Sequence, residues 1–134
     1  MTRFYVPDVF EDTISLGSPH ADIKVRFSPE KIGEDYFRII HGLAEEEKNK
    51  YGENAEKYSQ LFIELLVLLF GQDNAMHLLD AYSDNYEKLI DDVVFYTGTK
   101  IAPVMKAASQ ARKKKIKAEK KAMRALSHRR WFHK

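Results

Sequence analysis

An apolar segment in the middle of the chain constrains the fold more than any other feature. The ten residues 61–70, LFIELLVLLF, contain one charged side chain, Glu64. As a helix, this segment is apolar around nearly its whole circumference, whereas a surface helix shows only an apolar stripe. It is also about half of the roughly 20 residues that span a bilayer. We therefore predict no membrane span, and a helix that its own domain or another subunit covers on most sides.

Two alternating segments near the N-terminus indicate strands. DTISL (12–16) and DIKVRF (22–27) alternate polar and apolar residues and contain β-branched side chains. GSPHA (17–21) lies between them and supplies the turn formers Gly17, Ser18 and Pro19. The sequence therefore predicts a β hairpin within residues 1–28.

Helical spacing begins directly after the second strand. Ser28 suits the N-cap position and Pro29 the first helical position of the first helix. Apolar residues then recur at helical spacing, at Ile32, Tyr36, Ile39, Ile40 and Leu43. The second helix begins near Asn54 and ends at Phe70, with Gly71 as its stop signal.

Two further helices are predicted before Pro103. The third is capped by Asp73 or Asn74, and the residues expected on its inner face are Met76, Leu79 and Tyr82. The fourth follows the turn SDN, and the residues expected to line it are Tyr86, Leu89, Ile90, Val93 and Val94. Thr97, Gly98, Thr99 and Pro103 are then expected to interrupt or kink the helix.

The charge of the chain is strongly divided between its two parts. The net charge of +2 combines residues 100–134, with 13 Lys and Arg and one acid, and residues 1–99, with 9 basic and 19 acidic residues. Residues 100–134 form a basic, helix-prone tail. Its thin apolar line consists of Met105, Ala108, Ile116, Met123 and Leu126. Such separation favours contact between tail and body, within or between chains, and it also favours anionic partners.

Residue types that carry chemistry form no recognisable site. The chain has no cysteine, which excludes disulfides and thiol chemistry, and it has neither GxGxxG nor GxxxxGK[ST]. The five histidines (His20, His41, His77, His128 and His133) lack metal-ligand spacing. Asp91 and Asp92 point about 100° apart on a helix, so they do not converge on one substrate atom. We predict a protein that is not an enzyme and that has no cofactor or metal.

Charge alone leaves three interpretations of the tail open. The lysines and arginines could neutralise phosphates, with Trp131 and Phe132 stacking on bases. The acidic body would repel the same phosphates, so we rank nucleic acid below a protein partner or a solvated, partly disordered tail.

A series of features in the second half of the chain forms a recognisable pattern. These are an apolar helix ending in Phe70-Gly71, the turn and tyrosine Asp84, Asn85 and Tyr86, and a helix running into Ile101, Pro103, Val104 and Met105. A lysine-rich segment from Arg112 follows. With this pattern the chain resembles the tail assembly chaperones of long-tailed bacteriophages, most strongly over residues 60–121 and more weakly over most of the rest. The ending RALSHRRWFHK matches nothing diagnostic of the family.

The resemblance implies a non-enzymatic assembly factor in the host cytoplasm that is not retained in the mature virion. Such a chaperone binds the tape measure protein, keeps it soluble and helps recruit the major tail protein for tube assembly. The resemblance also implies a longer, frameshifted form of the chain as a further partner. Lys113–Lys115 and Lys120–Lys121 are compatible with the adenine-rich slippery codons of such a frameshift. The alternatives are a small nucleic-acid-binding accessory protein and a head–tail structural component.

These inferences combine into one prediction of architecture and site. The fold is α+β and mainly α: a hairpin region (1–28), an acidic helical domain of about four helices (29–105) and a basic helical or partly disordered tail (106–134). A homo-oligomer is expected. The hypothetical partner-binding residues are Leu61, Phe62, Leu65, Leu66, Leu69, Phe70, Arg112, Lys113, Lys114, Lys115, Lys117, Lys120 and Lys121.

Overall fold

The computed structural model describes residues 9–16 and 21–132, and the side chains within these ranges other than those of residues 16, 21 and 126–132. The elements are β1 Phe10–Leu16, β2 Ala21–Phe27, α1 Pro29–Glu45, a 3-10 turn Glu47–Asn49, α2 Glu56–Phe70, α3 Gln72–Ala81, α4 Tyr86–Tyr96, a π turn Thr97–Ile101 and α5 Ala102–Phe132. The predicted class, mainly helical with an N-terminal hairpin and a long C-terminal helix, is confirmed. The predicted turn residues 17–20 lie outside the described part of the chain.

The hairpin is part of the same core as the helices. β1 and β2 pair antiparallel, with Phe10 opposite Phe27 and Ile14 opposite Ile23. The inner face of β2 buries Ile23 and Val25, each 1% exposed, in the cluster that also contains the residues of α2. Asp12 lies on this inner side, where it accepts a hydrogen bond from the Tyr96 hydroxyl at 2.8 Å. This bond ties the hairpin to the end of α4.

Local signals set the start of α1 and its contact with α2. Ser28 is the N-cap, and its hydroxyl accepts from the Lys31 amide at 3.4 Å, as the sequence predicts. Farther along α1, Gly42 lets α2 approach closely. A Cβ atom at this position would lie 2.8 Å from Cδ1 of Leu61. The absence of a side chain therefore sets the separation of the two helices at this point.

Helix α2 forms the centre of the molecule, which explains its apolar character. Phe62, Leu65, Leu66 and Leu69 are at most 1% exposed, and Phe70 is 5% exposed. The helix ends at Phe70 because Gly71 adopts φ 85°, a left-handed conformation that other residues rarely adopt. The chain then starts α3 at once, at Gln72.

Three details of α3 and α4 differ from the prediction. Neither Asp73 nor Asn74 caps α3, because Gly71 starts the helix before them, and Asn74 instead donates to the Phe70 carbonyl at 3.0 Å. Met76 is 60% exposed, because α3 turns Ala75 and Leu78 inward. Val94 is 42% exposed, one residue beyond the buried Val93.

The predicted interruption near Pro103 is a widened turn inside a continuous helix. Helix α4 passes into α5 through the π turn, where the Ala102 amide donates to the Thr97 carbonyl. Proline lacks an amide hydrogen, and its ring clashes with the carbonyl four residues earlier. The π turn lies directly before Pro103 and lets the chain pass it without ending the helix. Residues 86–132 therefore form one helical run.

Candidate partner-binding surface

Helix α5 leaves the body of the protein after its second turn. Ile101 and Met105 are buried, and residues 107–109 are half-buried, whereas every side chain from residue 110 to 125 is exposed. At ~1.5 Å per residue, this exposed segment is about 24 Å long. Alanine, lysine, arginine and glutamate are strong helix formers, which favours the helix that this segment adopts with its side chains exposed. The packed part ends near residue 109, a few residues later than the predicted boundary at 105.

The cations of this segment are concentrated on one side of the helix. Lys113, Lys117, Lys120 and Arg124 recur at intervals of four, three and four residues, which places them on one line along the helix. Lys114 and Lys121 lie next to that line, whereas Lys115 and Glu119 lie on the other side. The line of four cations is named the basic line. Arg124 was not among the predicted site residues, although the same spacing identifies it.

A short apolar stripe runs beside the basic line. Ile116 is 41% exposed and Met123 is 68% exposed, and the two are seven residues apart on one side of α5. They continue the side on which Met105 packs against the body. The side chain of Leu126, which the sequence adds to this stripe, lies outside the described part. Ile116 and Met123 are named the apolar stripe.

The six predicted contact residues on α2 lie in the core. Phe62, Leu65, Leu66, Leu69 and Phe70 are buried, and Leu61 is half-buried against Gly42 of α1. They do not line an open groove in this structure, because α1, α3 and β2 pack against α2. The exposed apolar residues of α2 are Ile63 and Val67 (40% and 41%), in a shallow depression of about 320 Å³ beside Asp35, Arg38 and Glu64.

Arg112 is the one predicted basic residue at the junction between α5 and the body. It lines a half-enclosed cavity of about 160 Å³ with Met105 on α5 and with Glu30, Glu34 and Phe37 on α1. The remaining predicted residues, Lys113, Lys114, Lys115, Lys117, Lys120 and Lys121, are exposed beyond this junction. The structure therefore separates the predicted site into a buried group and an exposed group.

Several carboxylates of the body have local partners. Arg38 contacts Glu64 at 2.9 Å and Asp35 at 3.6 Å. Asp91 accepts from the Tyr51 hydroxyl at 3.0 Å, and Asp92 accepts from Tyr82 at 2.9 Å. The adjacent aspartates thus do not share one site, and both hold tyrosines in place. Asp91 itself remains exposed on α4 beside the exposed Glu87.

Titratable groups in the described ranges form no cluster that would hold a metal ion: no group of three or more His, Asp or Glu residues converges there. His41 and His77 are exposed, whereas His20, His128 and His133 lie outside the described side chains. The largest electrostatic effects fall on tyrosines. Burial raises the pKa of Tyr58 to about 12, and burial with the hydrogen bond to Asp12 raises the pKa of Tyr96.

Comparison with other proteins gives no relative. The chain matches no protein-family model, and neither a curated protein nor a solved structure matches it. In the described ranges, none of the helices is both long and apolar enough to cross a membrane.

Proposed function

We propose that the chain is a tail assembly chaperone of a long-tailed bacteriophage and that exposed helix α5 is its client-binding element. The observation that supports this most directly is the segment 110–125, a helix that carries a basic line and an apolar stripe and is exposed on all sides. A free amphipathic helix of this kind suits contact with another helix. The sequence resemblance supplies the class of client, the long helical tape measure protein.

The apolar stripe and the basic line contribute different interactions to client binding. Ile116 and Met123 offer apolar area to the exposed apolar positions of a client helix. The cations offer complementary charge to acidic client residues, which raises the association rate and favours acidic helices over basic ones. The buried residues of α2 have a structural role in this proposal. The proposed client surface is therefore narrower than the predicted set of residues.

Co-expression with the tape measure protein tests the proposal. Full-length protein should keep the client soluble and co-purify with it, and a chain ending at residue 109 should lose both effects while staying folded. The cut lies after residue 109 because residues 107–109 still contact the body. Loss of folding in the truncated chain, or full retention of the client by it, would contradict the assignment of α5.

A matched pair of variants tests whether client binding depends on the apolar stripe itself or on exposed apolar side chains in general. Ile116→Ser with Met123→Ser should reduce client recovery severalfold. Met76→Ser on α3 changes a methionine of similar exposure (60%, against 68% for Met123) and should leave recovery unchanged. Equal losses in both variants would remove the support for a specific stripe.

A small nucleic-acid-binding protein is the second candidate, and the basic line favours it. Four cations on one helix line can contact successive phosphates, and such binding weakens steeply with salt. Titration of random duplex DNA at low and high salt separates the candidates. This candidate would be supported by tight DNA binding whose logarithmic affinity falls with the logarithm of salt concentration with a slope of several charges, together with no client retention.

The chaperone proposal also fixes where the protein acts. It places the chain in the host cytoplasm, assisting addition of the major tail protein, and it excludes the chain from finished particles. Mass spectrometry of purified virions tests the exclusion. A slippery heptamer before an overlapping reading frame in the gene would support a longer, frameshifted partner.

A further inference from the structure

The outward side of helix α4 matches the basic line of α5 in spacing and opposes it in charge. Glu87, Asp91, Val94 and Gly98 are exposed and recur at intervals of four, three and four residues. The basic line has the same intervals. These four positions are named the acidic line, since its two charged members are both acids. Val94 is 42% exposed and the neighbouring Phe95 71%, so this line also presents apolar surface.

The π turn brings the two lines into phase along one helical run. A π turn closes its hydrogen bond one residue later than an α-helix and so adds one residue to the run. With that residue discounted, Asp91 and Lys117 are separated by 25 α-helical steps, which is about seven full turns. The acidic line and the basic line therefore lie on the same side of residues 86–124.

We propose that two copies of this chain pair through this side, with their α4–α5 helices antiparallel across a two-fold axis. In this register, Glu87 faces Arg124 and Asp91 faces Lys120 of the other copy. Val94 faces the aliphatic stem of Lys117, and Gly98 faces Lys113. Each favourable pair occurs twice, because a two-fold axis repeats every contact. The occupant of the acidic line is thus the basic line of a second copy.

Asp91 accepts a hydrogen bond from Tyr51 of its own chain, whereas the basic partner of the acidic line comes from another copy. Asp91 and Lys120 of one chain are 29 residues apart on one helical run, a separation of about 40 Å. The run is continuous through the π turn, so α5 does not fold back on α4. Antiparallel pairing with a second copy places the acidic line of each chain opposite the basic line of the other. A parallel pair would place acids against acids and bases against bases.

The dimer occupies the basic line and leaves the apolar stripe, the other part of the proposed client surface, accessible at its flank. Ile116 and Met123 lie about 80° around the helix from the basic line.

The proposed register also brings the two Lys106 side chains close to the two-fold axis, where like charges repel. Lys106→Ala is therefore expected to tighten the dimer, which is the opposite of the effect of removing a cation from the basic line.

Sedimentation of the purified chain is the first test. The protein, treated with nuclease, should shift with concentration from the mass of one chain, 15.6 kDa, to twice that mass. The dimer should weaken severalfold between about 50 mM and about 500 mM salt, because its charge pairs are exposed. A monomer at every concentration in low salt would overturn the proposal. A larger mass that nuclease treatment abolishes would also overturn it, since nucleic acid would then be the occupant.

Charge reversal supplies the decisive comparison. One variant carries Lys117→Glu, Lys120→Glu and Arg124→Glu, and the other carries Glu87→Lys and Asp91→Lys. All five positions are exposed, so circular dichroism should show folded protein for both. Each variant alone should be monomeric, whereas an equimolar mixture should form a heterodimer. Failure of the mixture to associate would overturn the pairing.

Cysteine cross-linking tests the register, since the chain has no cysteine of its own. Val94→Cys combined with Lys117→Cys should oxidise to a closed dimer and no larger species. Within one chain the two positions are roughly 35 Å apart along the helix, too far for a disulfide. Met76→Cys combined with Lys117→Cys is the control and should remain uncross-linked. A ladder of higher oligomers would mean head-to-tail contact and would overturn the two-fold arrangement.

Discussion

Replacing Leu69 by alanine tests whether α2 is a core helix in solution. Leu69 is 1% exposed, and Val67 on the same helix is 41% exposed. Truncating a buried leucine to alanine removes contacts on every side and leaves a cavity, at a cost of ~2–5 kcal/mol. Val67→Ala removes less buried surface and should cost about 1 kcal/mol or less. The two variants thus compare burial at nearly the same place in the fold.

Urea unfolding followed by far-ultraviolet circular dichroism measures the difference. With a slope of ~1–3 kcal/mol per molar urea, Leu69→Ala should lower the midpoint by about 1–2 M, and Val67→Ala by about 0.5 M or less. Leu69→Asp should leave the chain unfolded. It loses the packing of the leucine side chain and also buries a carboxylate, and the two costs together are comparable with a total stability of ~5–15 kcal/mol.

The outcome also decides the role of α2 in binding. Wild-type stability for Leu69→Ala, combined with loss of the client, would mean that α2 is an interface and that the packing described above is wrong. Equal midpoints for the two alanine variants would refute the difference in burial. The expected order, with Leu69→Ala well below Val67→Ala and Val67→Ala near wild type, assigns the apolar character of α2 to the core.

The remaining predictions concern stability. Gly33→Ala, in open space on α1, should stabilise by ~0.5–1 kcal/mol through helix propensity. Gly42→Ala should gain less or destabilise, because its Cβ would lie 2.8 Å from Cδ1 of Leu61; urea midpoints of both variants test this. Burial raises the pKa of Tyr58 to about 12, so the unfolded chain loses this proton first and stability should fall between about pH 10 and 12. Tyr58→Phe should flatten that fall, measured as melting temperature against pH. Removing residues 110–134 should change the urea midpoint by less than ~0.5 M, since residues 110–125 are exposed.

Local chemistry made much of the fold predictable from the sequence. Ser28 and Pro29 determine the start of α1 through a hydroxyl that caps the helix and a ring that suits its first turn. Gly71 ends α2 because it adopts positive φ at little cost. These signals depend on residues adjacent in sequence, so no tertiary information is needed to find them.

The side that a helix buries was less predictable, because it depends on packing. Helix α3 offers Met76 and Leu79 on one flank and Ala75 and Leu78 on the next, only about 100° away. Contact with α2 selects the second flank. Pro103 correctly indicated an irregularity, but the sequence did not show that a π turn would keep α4 and α5 continuous.

The candidate surface was predictable only in part. The cations of α5 stand out by composition, and the helical spacing of Lys113, Lys117 and Lys120 orders them on one line. The predicted residues on α2 are apolar for a different reason, since an enclosed core helix and a binding groove require the same residue types. Only the positions of α1, α3 and β2 around α2 distinguish the two. The acidic line required knowledge of which side of α4 is exposed.

The hydrogen bond between Tyr96 and Asp12 joins residues 84 positions apart, and this separation has a consequence for folding during synthesis. The hairpin is made early, but the end of α4 that anchors it follows about 70 residues after β2. At ~5–20 residues per second, this delay is roughly 4–14 s. During that time Ile23, Val25 and Phe27 lack part of the core that later covers them. The hairpin should therefore dock late in folding, after the helices that cover its inner face have formed.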